Sequence, residues 1–208
     1  NQFLSHIREV DAVAYVLRCF EDGDITHVEN RIDPVADAET VETELMLSDM
    51  DSLERRLPAA EKKGKQGDKD SKVQADVMAA ALALLREGKP ARLLKLTDEQ
   101  RPVFEQLQLL TSKPVVYVAN VDENSAAEGN SFTKRVEQRA KDEGAAFVII
   151  SAKIESEVAQ LPAEEREDFL STMGLTEPGL NRLIRAGYSL LRLITFFTVG
   201  PKEARAWT

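Results

Sequence analysis

The sequence predicts an α/β fold: a parallel sheet clothed by helices and interrupted by an antiparallel helical hairpin. Three observations lead there. Short apolar, β-branched runs at residues 10–20, 115–119 and 145–150 each stop in a polar turn, as buried strands of a parallel sheet do. Helix-period stretches separate the later runs, giving a strand–helix–strand–helix order. Between the first two runs lie two charged amphipathic stretches joined by Gly64-Lys65-Gln66-Gly67-Asp68, the pattern of an αα-hairpin.

Taken in order, Phe3, Leu4 and Ile7 mark a short helix over residues 2–9. Residues 10–20 are nearly continuously apolar and are expected to be a strand buried on both faces, closed by the acidic turn Glu21-Asp22-Gly23-Asp24. Residues 25–36 lack periodicity and contain Asp33-Pro34, so a loop is expected. Val41, Leu45, Met50, Leu53 and Leu57 stripe the first hairpin helix; Val73, Val77, Ala80, Ala81, Leu84 and Leu85 stripe the second, up to Gly88. Pro58 is expected to kink or break the first of these. Thr97-Asp98-Glu99-Gln100 is a capping-type start for a helix with Val103, Phe104, Leu107 and Leu110 on its inner face.

The second strand follows Lys113-Pro114, and residues 132–143 form a helix stopped by Gly144. The third strand ends at Ser151-Ala152-Lys153. Pro162 and two acids, Glu164 and Glu165, open another helix, which Gly174 ends. Pro178-Gly179 leads a further one, with Leu180, Leu183, Ile184, Tyr188 and Leu191 facing inward. Residues 194–200 are β-branched and aromatic and are expected to begin a second sheet, with Trp207 packing at a domain junction.

Bulk composition narrows the function classes. The 208 residues carry a net charge of −9, so a generally basic surface for nucleic acid is excluded, although a local patch is not. One cysteine, Cys19, allows no internal disulfide and suits a reducing cytosol; it is expected in the core. With two histidines, His6 and His27, a Cys/His zinc site is not expected. No run of about 18 apolar residues is present, so no membrane helix is expected. The chain starts at Asn1 and stops just after strand-like sequence, and is expected to be an internal piece of a longer protein.

The chemistry concentrates at strand ends. In open α/β sheets ligands bind beyond the carboxyl ends of strands. Asn120 and Glu123, in Asn120-Val121-Asp122-Glu123, stand there. An amide donates and accepts, and a carboxylate accepts from ring N–H and amino groups, which suits the reading of a nucleotide base. The same residues are also compatible with a polar turn that caps the next helix. Ser151-Ala152-Lys153 ends the neighbouring run and is open to the same two readings. Lys62, Lys63, Lys65, Lys69 and Lys72 crowd the hairpin tip, as a solvated helix end or as a patch for RNA phosphates.

Several segments together resemble one family. Residues 3–12 and Val16-Leu17-Arg18-Cys19-Phe20 look like the segment after switch II and the following strand of Obg-related P-loop NTPases. Asp24-Ile25-Thr26-His27-Val28, Asn120-Val121-Asp122-Glu123, residues 177–188, Phe196-Phe197-Thr198-Val199-Gly200 and Arg205-Ala206-Trp207-Thr208 narrow the resemblance to the YchF / Obg-like ATPase subfamily. The resemblance implies a G domain of the P-loop NTPase type over residues 1–36 and 89–194, with a coiled-coil hairpin inserted at 37–88. Residues 195–208 would enter a TGS domain.

It further implies a cytoplasmic, ribosome-associated ATPase that binds ATP in preference to GTP and hydrolyses it slowly with Mg²⁺. Asn120, Val121, Glu123, Ser151 and Ala152 would then meet the base. The chain has no G-x-x-x-x-G-K-[ST] motif, so the phosphate loop, catalytic residues and metal ligands are expected upstream of Asn1. GTP-binding proteins that the family resembles carry Asn-Lys-x-Asp, whose Asp accepts N1–H and the 2-amino group of guanine. Here Val121 and Glu123 replace the Lys and Asp. Adenine lacks both donors, so Glu123 is expected to turn to solvent or to Lys153, leaving Asn120 to meet N7 or the 6-amino group. The alternative is a ribosome- or RNA-interaction module in which nucleotide acts only as a regulator.

Overall fold

The computed structural model describes residues 2–22 and 32–208. The Asp24–Val28 segment and His27 lie outside these residues. The order is α1 (Gln2–Glu9), β1 (Val13–Arg18), α2 (Pro34–Lys65), α3 (Lys69–Arg86), α4 (Gln100–Gln106), β2 (Val115–Asn120), α5 (Ser131–Glu143), β3 (Ala146–Ile150), α6 (Ala152–Gln160), α7 (Ala163–Thr172), α8 (Gly179–Leu190), β4 (Phe196–Val199) and β5 (Ala204–Trp207). The chain divides into two compact units: residues 1–13 with 36–113, and residues 14–35 with 114–208.

The first unit is built on the hairpin. Leu53, Val77, Met78, Ala81 and Leu85 interdigitate into an apolar seam with Ala91, Phe104, Leu107 and Leu109. Residues 89–113 therefore pack with the hairpin they follow. α2 runs unbroken through Pro58, so the break that is one expectation there is absent. Pro58 lacks an N–H, yet apolar residues on both sides of it, Leu53 and Ala60, remain buried in the seam, and that packing holds the helix together. Gly67 at φ +97 turns the chain, and Asp68 caps α3 by accepting from Asp70 N at 3.2 Å and Ser71 N at 3.4 Å. α4 begins three residues later than its signal, but Thr97 and Gln100 do exchange reciprocal bonds at 3.3 and 3.1 Å.

Polar anchoring in this unit centres on Asp49, which has no exposed surface. Its carboxylate accepts from Leu110 N and Thr111 N, each at 2.8 Å, and from Thr111 Oγ1 at 2.7 Å. Thr111 Oγ1 in turn accepts from Ala91 N at 3.1 Å. Burial pushes the Asp49 carboxyl above its ordinary range, and the hydrogen bonds from Thr111 and Leu110 pull the other way.

In the second unit the three-stranded sheet has the order β1-β2-β3. β2 and β3 are parallel, in a register that sets Val118 against Val148 and Asn120 against Ile150. Strand β2 is central, and every residue from Val115 to Ala119 is buried. Alternate β2 side chains face opposite ways. Val116 and Val118 pack with Val148 under Leu183, Ala186 and Leu190 of α8. Tyr117 on the other face donates to Glu143 of α5 at 2.9 Å and accepts from Arg139 Nε at 3.1 Å. Helices thus cover both faces.

β1 departs from the expectation of a strand buried on both sides. Its burial alternates, with Tyr15 and Leu17 inside and Val16 64% exposed. Among the described residues β1 is an edge strand paired with β2 alone, which accounts for this. Cys19 forms no disulfide and has no exposed surface, as expected of a core residue. His6 is exposed. Leu180, Ile184 and Tyr188, expected to face inward on α8, are 53%, 48% and 41% exposed in this chain. Leu183 does pack inward as expected, and Ala186 and Leu190 complete the stripe. β4 and β5 form an antiparallel ribbon in which Trp207 is 45% exposed and donates to Thr198 Oγ1 at 2.9 Å. No helix among the described residues is long and apolar enough to cross a membrane.

Candidate functional site

The predicted base-reading residues converge because β2 and β3 are adjacent parallel strands that end at the same level. Asn120 closes β2, and Ser151 and Ala152 follow β3 directly. The Asn120 Oδ1 crosses between the strands and accepts from Ala152 N at 2.9 Å. Ala152 is the first residue of α6, so Asn120 does satisfy a helix N-terminus, but on a helix 32 residues away. The next turn has its own cap: Asp122 accepts from Ser125 N at 2.9 Å. With Oδ1 committed, Nδ2 is the group left to donate; among the described residues it makes no hydrogen bond.

Val121 is 2% exposed and its N–H donates to Ile150 O at 2.9 Å, so it anchors the turn. Asn120 O accepts from Cys19 N at 2.7 Å, which ties the same turn to the end of β1. Ser151 is 3% exposed, and its Oγ is buried without a hydrogen-bond partner. A buried hydroxyl is rarely left unpaired, so this atom keeps unused hydrogen-bonding capacity at the end of β3.

Glu123 forms an ion pair with Lys153. Hydrogen bonding from Lys153 holds the Glu123 carboxyl below its ordinary range, and the same contact raises the Lys153 ammonium. The carboxylate is thus ionised and directed at a cation beside the loop.

Two residues outside the sequence-predicted set matter to this geometry. Asn130 caps α5, with Oδ1 accepting from Phe132 N and Thr133 N, each at 3.0 Å, while its Nδ2 donates to Cys19 O at 2.6 Å. The Asn130-x-x-Thr133 spacing is a capping-box signal that local reading can find. Glu155 accepts from Gly179 N at 2.6 Å and Leu180 N at 3.2 Å. Helix α6 itself carries only a short signal, Ile154 and Val158 four apart, both buried.

The hairpin-tip lysines Lys62, Lys63, Lys65, Lys69 and Lys72 are all exposed around the turn between α2 and α3. Glu61, Asp68 and Asp70 stand among them, so the tip is basic but not uniformly so. A Cβ on Gly64 would lie 3.1 Å from Lys72 Cα, which shows how closely the two helices approach at the tip.

A parallel β2–β3 pair under helices, with a hairpin inserted ahead of it, makes an α/β fold carrying a helical insertion. A YchF GTPase of Schizosaccharomyces pombe superposes with a TM-score of 0.87 at 28% identity, over 100% of this chain and 57% of that one. The chain is homologous along its whole length to the YchF proteins. It is 46% identical over 210 residues to the ribosome-binding ATPase YchF of Bacillus subtilis and 48% identical over 208 residues to that of Haemophilus ducreyi. It covers 57% of the length of each of these relatives. No protein-family model matches.

Proposed function

We propose that this chain carries the base-reading part of a cytosolic, ribosome-associated ATPase that binds ATP in preference to GTP and hydrolyses it slowly. The observation that carries the proposal is how the loop's polar groups are committed. Guanine needs an acceptor fork for N1–H and the 2-amino group and a donor for its 6-oxygen. Glu123, in the acceptor position, is engaged by Lys153, and the Ala152 N–H is engaged by Asn120. A guanine there would find its N1–H, 2-amino group and 6-oxygen without free partners, and an unmatched polar group is a strong basis for discrimination. Adenine has no N1–H or 2-amino group to need that fork and no 6-oxygen to need a donor, and the Asn120 Nδ2 suits its N7. Ser151 Oγ is a second group able to meet the ring, and Val121 holds the turn beneath it.

The names of the bacterial relatives supply the ribosome and the ATPase activity. Phosphoryl transfer of this kind rests on positioning and electrostatic stabilisation, with Mg²⁺ neutralising charge on the phosphates. Among the described residues no cluster of three or more His, Cys, Asp or Glu side chains is placed to hold that ion.

Equilibrium titration of the full-length protein with fluorescent ATP and GTP analogues tests the reading. Tighter ATP binding is expected; equal or reversed preference overturns it. Changing Val121→Lys together with Glu123→Asp should move the preference towards GTP. A second reading, an interaction module regulated by nucleotide, is favoured only by the exposed tip lysines and is compatible with the first.

A further inference from the structure

α6 starts at Ala152, the residue whose N–H the Asn120 side chain holds. One turn later Glu155 reaches the first turn of α8, where Oε1 accepts from Gly179 N at 2.6 Å and Oε2 from Leu180 N at 3.2 Å. These N–H groups have no intrahelical partner, and a carboxylate also complements the positive end of the helix dipole. Gly179 makes the approach possible. A Cβ there would fall 2.9 Å from Ile150 Cγ2 and 3.0 Å from Glu155 Oε1. Ile150 is the strand residue paired with Asn120. Contacts therefore run in a closed ring: Asn120 to Ala152, along α6 to Glu155, across to Gly179, against Ile150, and back to Asn120.

The geometry points to Glu155 as a positioning residue for base selectivity: it ties the first turn of α6 to α8 and thereby keeps the Ala152 N–H on Asn120, away from a purine 6-oxygen. This role rests on the adenine-reading proposal above. Glu155 touches no base. It acts on a main-chain donor at the mouth of the loop, the Ala152 N–H that Asn120 holds. If the tie is cut, the first turn of α6 gains freedom, the Ala152 N–H can leave Asn120, and a 6-oxygen becomes acceptable. ATP, which has no use for that donor, loses little.

The test uses Glu155→Ala and Glu155→Gln in the full-length protein, titrated with fluorescent ATP and GTP analogues, with amide hydrogen exchange read over residues 151–156. The Ala variant should lower the ATP-over-GTP ratio about tenfold, the scale of one hydrogen bond to a charged group, and speed exchange at Ala152. The Gln variant keeps the size and one acceptor, so its loss should be smaller, and it carries the test should the Ala variant fold poorly. An unchanged ratio, or equal weakening of both nucleotides, overturns the positioning role and leaves Glu155 as a helix cap. A wild-type protein with no ATP preference overturns the adenine reading itself, and this role with it.

Discussion

Replacing Asp49 by Ala probes the anchor of the first unit. Three donors at 2.7–2.8 Å converge on its carboxylate in a site with no exposed surface. Truncation orphans two backbone N–H groups and one hydroxyl. At roughly 1–3 kcal/mol for each buried donor left unpaired, the gross loss is about 3–9 kcal/mol. Two effects reduce it. The Thr111 hydroxyl can rotate, and removing a buried carboxylate relieves its desolvation. A net destabilisation of about 3–4 kcal/mol is expected, a large part of the stability of an ordinary domain. Asp49→Asn should fall between, because its Nδ2 would face one of the same N–H donors.

The acid titration gives an independent reading with the opposite sign from the usual carboxylate. The folded Asp49 pKa is raised, so the native state holds its proton where the unfolded chain has lost it. Its contribution to stability is therefore present below the ordinary carboxylate value and is lost as pH rises through the raised one. Urea unfolding of wild type and Asp49→Asn across the acid range should show that slope in the wild type alone. An Asp49→Ala protein within about 0.5 kcal/mol of wild type would refute the anchor, and identical slopes would refute the raised Asp49 carboxyl.

Asn130→Ala removes both the α5 cap and the bond to Cys19 O, so a loss of about 1–2 kcal/mol is expected in the same unfolding assay; an unchanged midpoint would mean that solvent replaces both. Substituting Lys62, Lys63, Lys65, Lys69 and Lys72 by Ala should weaken ribosome co-sedimentation and flatten its salt dependence, by nearly one unit of log–log slope for each phosphate no longer neutralised. Equal binding at every salt concentration would mean that the tip meets no phosphate.

Much of the architecture is readable locally because it is made locally. The hairpin, the turn at Gly67, the α5 stop at Gly144 (φ +65) and the three strand cores follow from periodicity, turn chemistry and β-branched runs within a few residues. Expectation and structure part where neighbours decide. The continuity of α2 through Pro58 depends on the seam against α3. The exposure of Val16 depends on β1 having a single partner strand among the described residues. α6 is hard to see in the sequence because nine residues carry too few apolar positions to show a period.

The sequence by itself determined which chemistry is available: an Asn and a Glu at the end of one strand, a Ser-Ala-Lys at the end of another, and no Lys or Asp at the two positions where a guanine motif has them. Only the tertiary structure decided how those groups are committed. Asn120 meets Ala152 32 residues away, and Glu155 meets Gly179 24 residues away. Glu123 finds Lys153 rather than an open pocket. The physical reason is that residue types set what can donate and accept, whereas strand adjacency and helix placement set which donor lies within about 3 Å of which acceptor.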